Sequence, residues 1–202
     1  QPTLNALLSS QGQDVRVTYR HLPLPHNPTA KQLAFAAHCA HEQGRFWAMR
    51  EALLTSESPD PSALLEGLEL NAQAFAACLA SERPSRRIDA DAQVARRVAV
   101  GGTPVLFVNG RKAAGARPLA ELEALLVRER QDARARLASP PTERTVASLH
   151  DVITKHGRAR VPLAAVPTAV AELPVATRGS EVSPFNVQAW LDLSNEQHRR
   201  SL

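Results

Sequence analysis

Ten consecutive residues, Gly101-Gly102-Thr103-Pro104-Val105-Leu106-Phe107-Val108-Asn109-Gly110, constrain the fold of this chain more than any other stretch. A glycine pair and Thr-Pro lead into a short apolar run that stops at Asn-Gly. That pattern predicts a tight entry turn, a buried strand of about four residues and a two-residue hairpin turn. Proline is tolerated at the start of such a strand because that position need not donate to the ladder. An X-Pro bond between glycines and a core strand is also a candidate cis peptide.

Upstream, Val15-Arg16-Val17-Thr18-Tyr19 alternates as a half-buried strand does. Asn27 is a good helix cap with Pro28 at the first helical position, and one long helix is predicted from about Thr29 to Leu54. Leu33, Ala37, Ala40, Gly44 and Trp47 line one side of it. After Pro59 and Pro61 come two short helices, the second capped by Asn71 and carrying Phe75, Cys78 and Leu79. A helix from about Ser85 to Val98 precedes the hairpin, and Pro118 opens another that reaches about Leu137.

These segments, in this order, resemble the DsbA-like thiol–disulfide oxidoreductases of the thioredoxin fold. The resemblance rests on Val-x-Gly-Thr-Pro-x-x-x-Val-Asn-Gly and on Tyr19-Arg20-His21-Leu22-Pro23-Leu24. It extends to Ala36-Ala37-His38-Cys39-Ala40 with Glu42-Gln43-Gly44-Arg45-Phe46-Trp47, to Gly67-Leu68 with Phe75 and Cys78-Leu79, and to Gly115-Ala116-Arg117-Pro118-Leu119. It spans roughly residues 1 to 130. It implies an α/β, thioredoxin-like domain over residues 1–137 with a helical subdomain inserted at about 28–99 and the N-terminal strand missing. It also implies an extracytoplasmic setting, periplasm or cell envelope, and partners that are thiol- or disulfide-containing proteins or extended peptides. Thr103 and Pro104 would form the loop that pairs with a substrate strand.

The family's redox chemistry needs a Cys-x-x-Cys at a helix N-terminus, where the dipole and free N–H groups stabilise a thiolate. This chain has two cysteines, Cys39 and Cys78, and neither lies in such a motif. Gln1-Pro2-Thr3-Leu4 is similar to the family's sequence just after that motif, so the chain is expected to begin downstream of it. No catalytic residue is assigned within these 202 residues. Three functions stay open: a family member that is redox-inactive as it stands, a peptide- or partner-binding module, and a glutathione-using relative. No serine motif supports the third.

Cys39 and Cys78 are either small core residues or a structural disulfide, which would need Cα atoms within about 7 Å. His38 and His41 are spaced as an i, i+3 ligand pair, but no Cys, Asp or Glu set completes a metal site, and no cofactor motif is present. His21 and His26 flank a proline-rich loop and read as solvated or locally hydrogen-bonded. The net charge of +4 comes almost wholly from arginine, with lysine only at Lys31, Lys112 and Lys155. These charges read as solvated helix faces, since no aromatic-interleaved basic patch suggests nucleic acid. No apolar run has the length of a membrane span.

Residues 138–183 are rich in proline and alanine and read as a linker with a short helix at about 145–156. Residues 184–202 hold a strand-like run, Val187 to Leu193, followed by a polar helix start. Laid on the family pattern, Asn195 and His198 fall where the two cysteines would stand, as in a degenerate second repeat. Alternatively, this strand completes the sheet of the first domain, whose central strand would otherwise be lacking.

Overall fold

A computed structural model describes residues 2–11, 15–57, 59–137, 177–178 and 185–191. Six α-helices, a one-turn 3-10 helix at Ser62–Leu64 and five strands are defined among them. Helix α1 (Pro2–Gln11) leads to strand β1 (Val15–His21), and α2 (Ala30–Glu42), α3 (Phe46–Thr55), α4 (Ala72–Leu79) and α5 (Arg83–Arg97) follow. Strands β2 (Val105–Val108) and β3 (Arg111–Ala114) form the hairpin, α6 (Leu119–Leu137) follows it, and β4 (Thr177–Arg178) and β5 (Phe185–Leu191) close the sequence of elements. Two residues of the stretch assigned to the linker thus form a strand. The expected helix at 145–156, Asn195 and His198 lie outside the described residues.

The sheet has the order β3-β2-β5-β1-β4. Strand β5 runs parallel to β1, with Val15 opposite Phe185 and His21 opposite Leu191. It runs antiparallel to β2, with Val105 opposite Trp190 and Val108 opposite Val187. The central position, for which residues 1–137 offer no strand, is therefore occupied by β5. The physical reason is direct: without it, the facing backbone groups of β1 and β2 would lie in the core without partners.

The hairpin turns through Asn109 (φ 48°) and Gly110 (φ 83°), the two left-handed residues of a type I′ turn. Its register pairs Val108 with Arg111 and Val105 with Ala114. The expected long helix over 29–54 is two helices. Gly44, at φ 74°, sits beyond the end of α2, with its N–H bonded to the His41 carbonyl at 2.9 Å and that of Arg45 to Ala40 at 2.8 Å. This is the Schellman arrangement, which satisfies the last carbonyls and turns the chain before Phe46. Asn27 stands two residues before Thr29, the N-cap position of α2, and its side-chain oxygen accepts from the Thr29 N–H and hydroxyl. Asn71 does cap α4, accepting from the Ala74 N–H at 2.8 Å.

Two apolar clusters flank the sheet. Val15, Val17, Tyr19, Leu106 and Val108 pack with residues of α1, α2, α3, α4 and α6, among them Leu7, Leu33, Met49, Leu53, Phe75, Leu122 and Leu126. Val105 and Phe107 pack with Ala90, Val94 and Ala95 of α5 and with Val98 just beyond its end. Within the helical insertion Cys39 of α2 and Cys78 of α4 form a disulfide, with Cα atoms 5.7 Å apart. Of the two readings open to these cysteines, the structure takes the covalent one. Closing a loop of 39 residues in sequence stabilises a fold by about 2–4 kcal/mol.

Candidate functional site: a cis-proline loop and a buried charge network

One end of the sheet lies where β1 and β5 finish and β2 begins. Register places His21 beside Leu191, Arg20 beside Trp190, and Val105 on the other side of Trp190. Thr103 and Pro104, just before Val105, thus flank the end of β5 from one side and His21 flanks it from the other. The Thr103–Pro104 peptide bond is cis. The Pro104 carbonyl accepts from the Gly115 N–H at 2.9 Å, which ties the loop to β3. Thr103 makes no hydrogen bond to any described residue through its backbone, and its buried hydroxyl oxygen has no partner among them. Thr103, in a bend just before β2, thus has backbone groups without partners among the described residues at the end of the sheet.

On the α5 side of β1 the arginines depart from the expectation of solvated faces. The alternation in β1 predicts Arg16, Thr18 and Arg20 facing water, but α5 covers that face, and Thr18 and Arg20 are buried. What allows this is Asp91 on α5, which is fully buried. One carboxylate oxygen accepts from Arg20 Nη1 at 2.9 Å, and the other accepts from the His21 backbone N–H at 3.0 Å and from Arg87 Nε at 3.1 Å. Arg87 Nη2 completes a bidentate grip on the same carboxylate. A buried carboxylate held by two guanidiniums and a backbone donor has its lone pairs filled, the condition for keeping charges away from water. Arg50 is also buried, with its guanidinium 5.5 Å from the Tyr19 ring and 5.4 Å from the Trp47 ring.

His21 is not solvated either. It is buried, its ring 5.2 Å from Tyr19 and 5.9 Å from Phe46, and its Nδ1 has no hydrogen-bond partner among the described residues. Burial drives its pKa down from 6.5 to about 3, against the pull of Asp91. Burial also lowers the pKa of His38 and His41, whose rings are 6.3 Å apart. His38 Nε2 lies 3.4 Å from Glu42 Oε1. Glu42 is held below its usual range by the hydrogen bonds from Arg83, at 2.8 and 3.1 Å, a link from α2 to α5. No group of three or more His, Cys, Asp or Glu side chains among the described residues is placed to hold a metal.

These shifts share one sign. The unfolded chain binds protons at His21, His38 and His41 as pH falls through about 6.5, while the folded chain resists them. Stability is therefore full above about pH 6.5 and declines on acidification, with Glu42 adding to the loss below its ordinary value of 4.5. Each proton taken up only by the unfolded chain costs up to about 1.4 kcal/mol per pH unit. Urea unfolding between pH 7 and pH 4.5 is expected to show this decline, and His21→Phe, which keeps the ring contacts, to flatten it by close to one proton. An unchanged slope in that variant would refute the assignment to His21.

The sequence reading reached Thr103 and Pro104 but not Asp91 or Arg87. Their only trace is Arg87 and Asp91 spaced i, i+4 on the face of α5 that also carries Ile88 and Val94.

Sheet order, hairpin, loop and flanking helices together define a thioredoxin-fold domain. A family model described as Thioredoxin matches residues 3–128, and the chain belongs to that family. Among curated proteins, it is 38% identical over 141 residues to the Na(+)/H(+) antiporter NhaA 3 of Salinispora tropica, covering 67% of this chain and 22% of that protein. It is 37% identical over 129 residues to the Na(+)/H(+) antiporter NhaA 1 of Salinispora arenicola, covering 61% and 20%. A further relative, the Na(+)/H(+) antiporter NhaA of Herminiimonas arsenicoxydans, is 32% identical over 128 residues, again covering 61% and 20%. The chain thus spans about a fifth of the length of the curated relatives it matches. No solved structure matches it significantly.

Proposed function

We propose that this chain is a DsbA-like thioredoxin-fold domain that binds extended segments of thiol- or disulfide-containing proteins at Thr103–Pro104, without itself exchanging disulfides. The observation that carries the binding reading is the free backbone of Thr103 beside the end of the sheet. A peptide laid there in extended form gains main-chain hydrogen bonds at little cost in rearrangement. The reading of inactivity rests on the cysteines. The 202 residues hold no Cys-x-x-Cys, and both thiols are consumed in a buried disulfide at 0% and 1% exposure. Exchange requires an accessible thiolate, which neither can supply.

A disulfide inside the helical insertion suits an oxidising compartment, which supports an extracytoplasmic setting. No helix among the described residues is long and apolar enough to cross a membrane. Ion exchange is in the names of proteins of which this chain covers about a fifth. What we carry over from them is a thioredoxin-fold module joined to such a transporter.

Two measurements test the proposal. In an insulin-reduction assay the protein and its Cys39→Ala/Cys78→Ala variant are expected to be equally inert, and turnover by the unaltered protein would overturn the inactive reading. In an NMR titration with an extended peptide carrying an S-methylated cysteine, amide shifts are expected at residues 102–105. Binding mapped elsewhere would overturn the assignment of the loop.

A further inference from the structure

The opposite edge of the sheet carries a second set of recognition features. Strand β3 is the outermost strand on its side among the described residues. A two-residue hairpin closes on a hydrogen-bonded pair, here Val108 and Arg111, and bonded and non-bonded pairs then alternate along the ladder. The N–H and C=O groups of Lys112 and Ala114 therefore point outward. Arg117 Nε, bonded to the outward Ala114 carbonyl at 3.0 Å, marks the same direction.

Beside this edge lies a cleft of about 380 Å³ between β3 and α6. Three guanidiniums line it, those of Arg111, Arg117 and Arg128, and Glu121 is the one carboxylate among the lining residues. Glu121 is matched by Arg117 at 3.0 Å, and Arg111 is matched by Glu129 at 2.8 Å and Asp132 at 3.3 Å. Arg128 is exposed and has no ion partner among the described residues. Lys112 turns its ammonium to the Ala99 carbonyl, a neutral acceptor that leaves its positive charge at the border of the cleft. Counting Lys112, four cations stand against Glu121 in the cleft and Glu129 and Asp132 behind Arg111, which leaves one net positive charge. The guanidiniums are of the type that grips carboxylates in a planar, two-pronged way.

We propose that β3 and this cleft bind an acidic segment of a partner protein, added as a strand to the edge of the sheet. Four residues of β3 accept a partner strand of about 13 Å, at roughly 3.3 Å per residue. In such a strand alternate side chains fall on the α6 side, so carboxylates at every second position face Arg117 and Arg128, with Arg111 held by its own α6 carboxylates. Main-chain bonds to Lys112 supply register, and the guanidiniums select the acidic sequence. Arg117 moves from the Ala114 carbonyl to the incoming carboxylate. A second copy of this chain does not fit as the partner strand, because two β3 edges would bring the same arginines together.

The probe is a fluorescein-labelled peptide of alternating threonine and glutamate, followed by anisotropy, with alternating threonine and lysine as the control. The acidic peptide is expected to bind, weakening as salt rises, and the basic one not to bind. Arg117→Gln/Arg128→Gln, two exposed positions, is expected to weaken binding at least tenfold with an unchanged unfolding curve. An acidic peptide N-methylated at alternate residues is expected to lose binding to the unaltered protein. Equal binding of the basic peptide, indifference to the arginine variant, or indifference to N-methylation would each overturn the proposal.

Discussion

Asp91→Ala is expected to destabilise the protein by about 3–5 kcal/mol, because it removes the carboxylate that two buried guanidiniums share. Arg20 and Arg87 are 5% and 3% exposed, and Asp91 is the anion that both contact. Removing it leaves two buried guanidiniums without their anion and the His21 backbone N–H without its acceptor. Against a typical stability of 5–15 kcal/mol, the variant stands near the edge of folding. The cost arises from orphaned charge and not from lost packing, and this can be separated. Replacing the three residues together by apolar ones of similar volume, Arg20→Met/Asp91→Leu/Arg87→Met, is expected to cost far less than Asp91→Ala alone. Urea unfolding by circular dichroism checks both. A loss below about 1 kcal/mol for Asp91→Ala, or a triple variant less stable than the single one, would contradict the account.

A comparable loss, about 3 kcal/mol or more, is expected for Val187→Pro in β5. Val187 stands opposite Val17 on one side and Val108 on the other, midway along the central strand. Proline has no N–H to give to either neighbour, and central strands exclude it for that reason. Amide hydrogen exchange supplies the diagnostic beyond stability. Because β5 joins β1 to the β2–β3 hairpin, its disruption is expected to speed exchange in both Val15–His21 and Val105–Val108 together. Unchanged protection in either strand would show that β5 does not hold the two halves of the sheet in register.

How much of this was legible beforehand follows from the range of each interaction. The hairpin needed only ten contiguous residues: Asn109 and Gly110 tolerate left-handed backbone, and the four residues before them are apolar. The Asn71 cap and the Pro118 helix start were likewise local. The break at Gly44 was signalled by a glycine, but one inside an otherwise periodic pattern, where helix continuation and a left-handed stop compete and the packing of Phe46 decides. The arginines of β1 and α5 could not be placed from periodicity, because alternation reports that one face is polar and not whether another helix covers it.

The amino-acid sequence by itself thus determined the elements whose causes lie within a few residues: the turn, the caps, the apolar faces and the absence of a Cys-x-x-Cys. Tertiary structure alone decided what depends on residues far apart in the chain. From the alternatives the sequence left open it took the disulfide for Cys39 and Cys78 and the middle of the sheet for the C-terminal strand, and it set Asp91 between Arg20 and Arg87 and withdrew His21 from water. The physical reason is the same in each case. A buried polar group or an open strand edge is costly until it meets its complement, and where that complement lies is a property of the fold rather than of any local pattern.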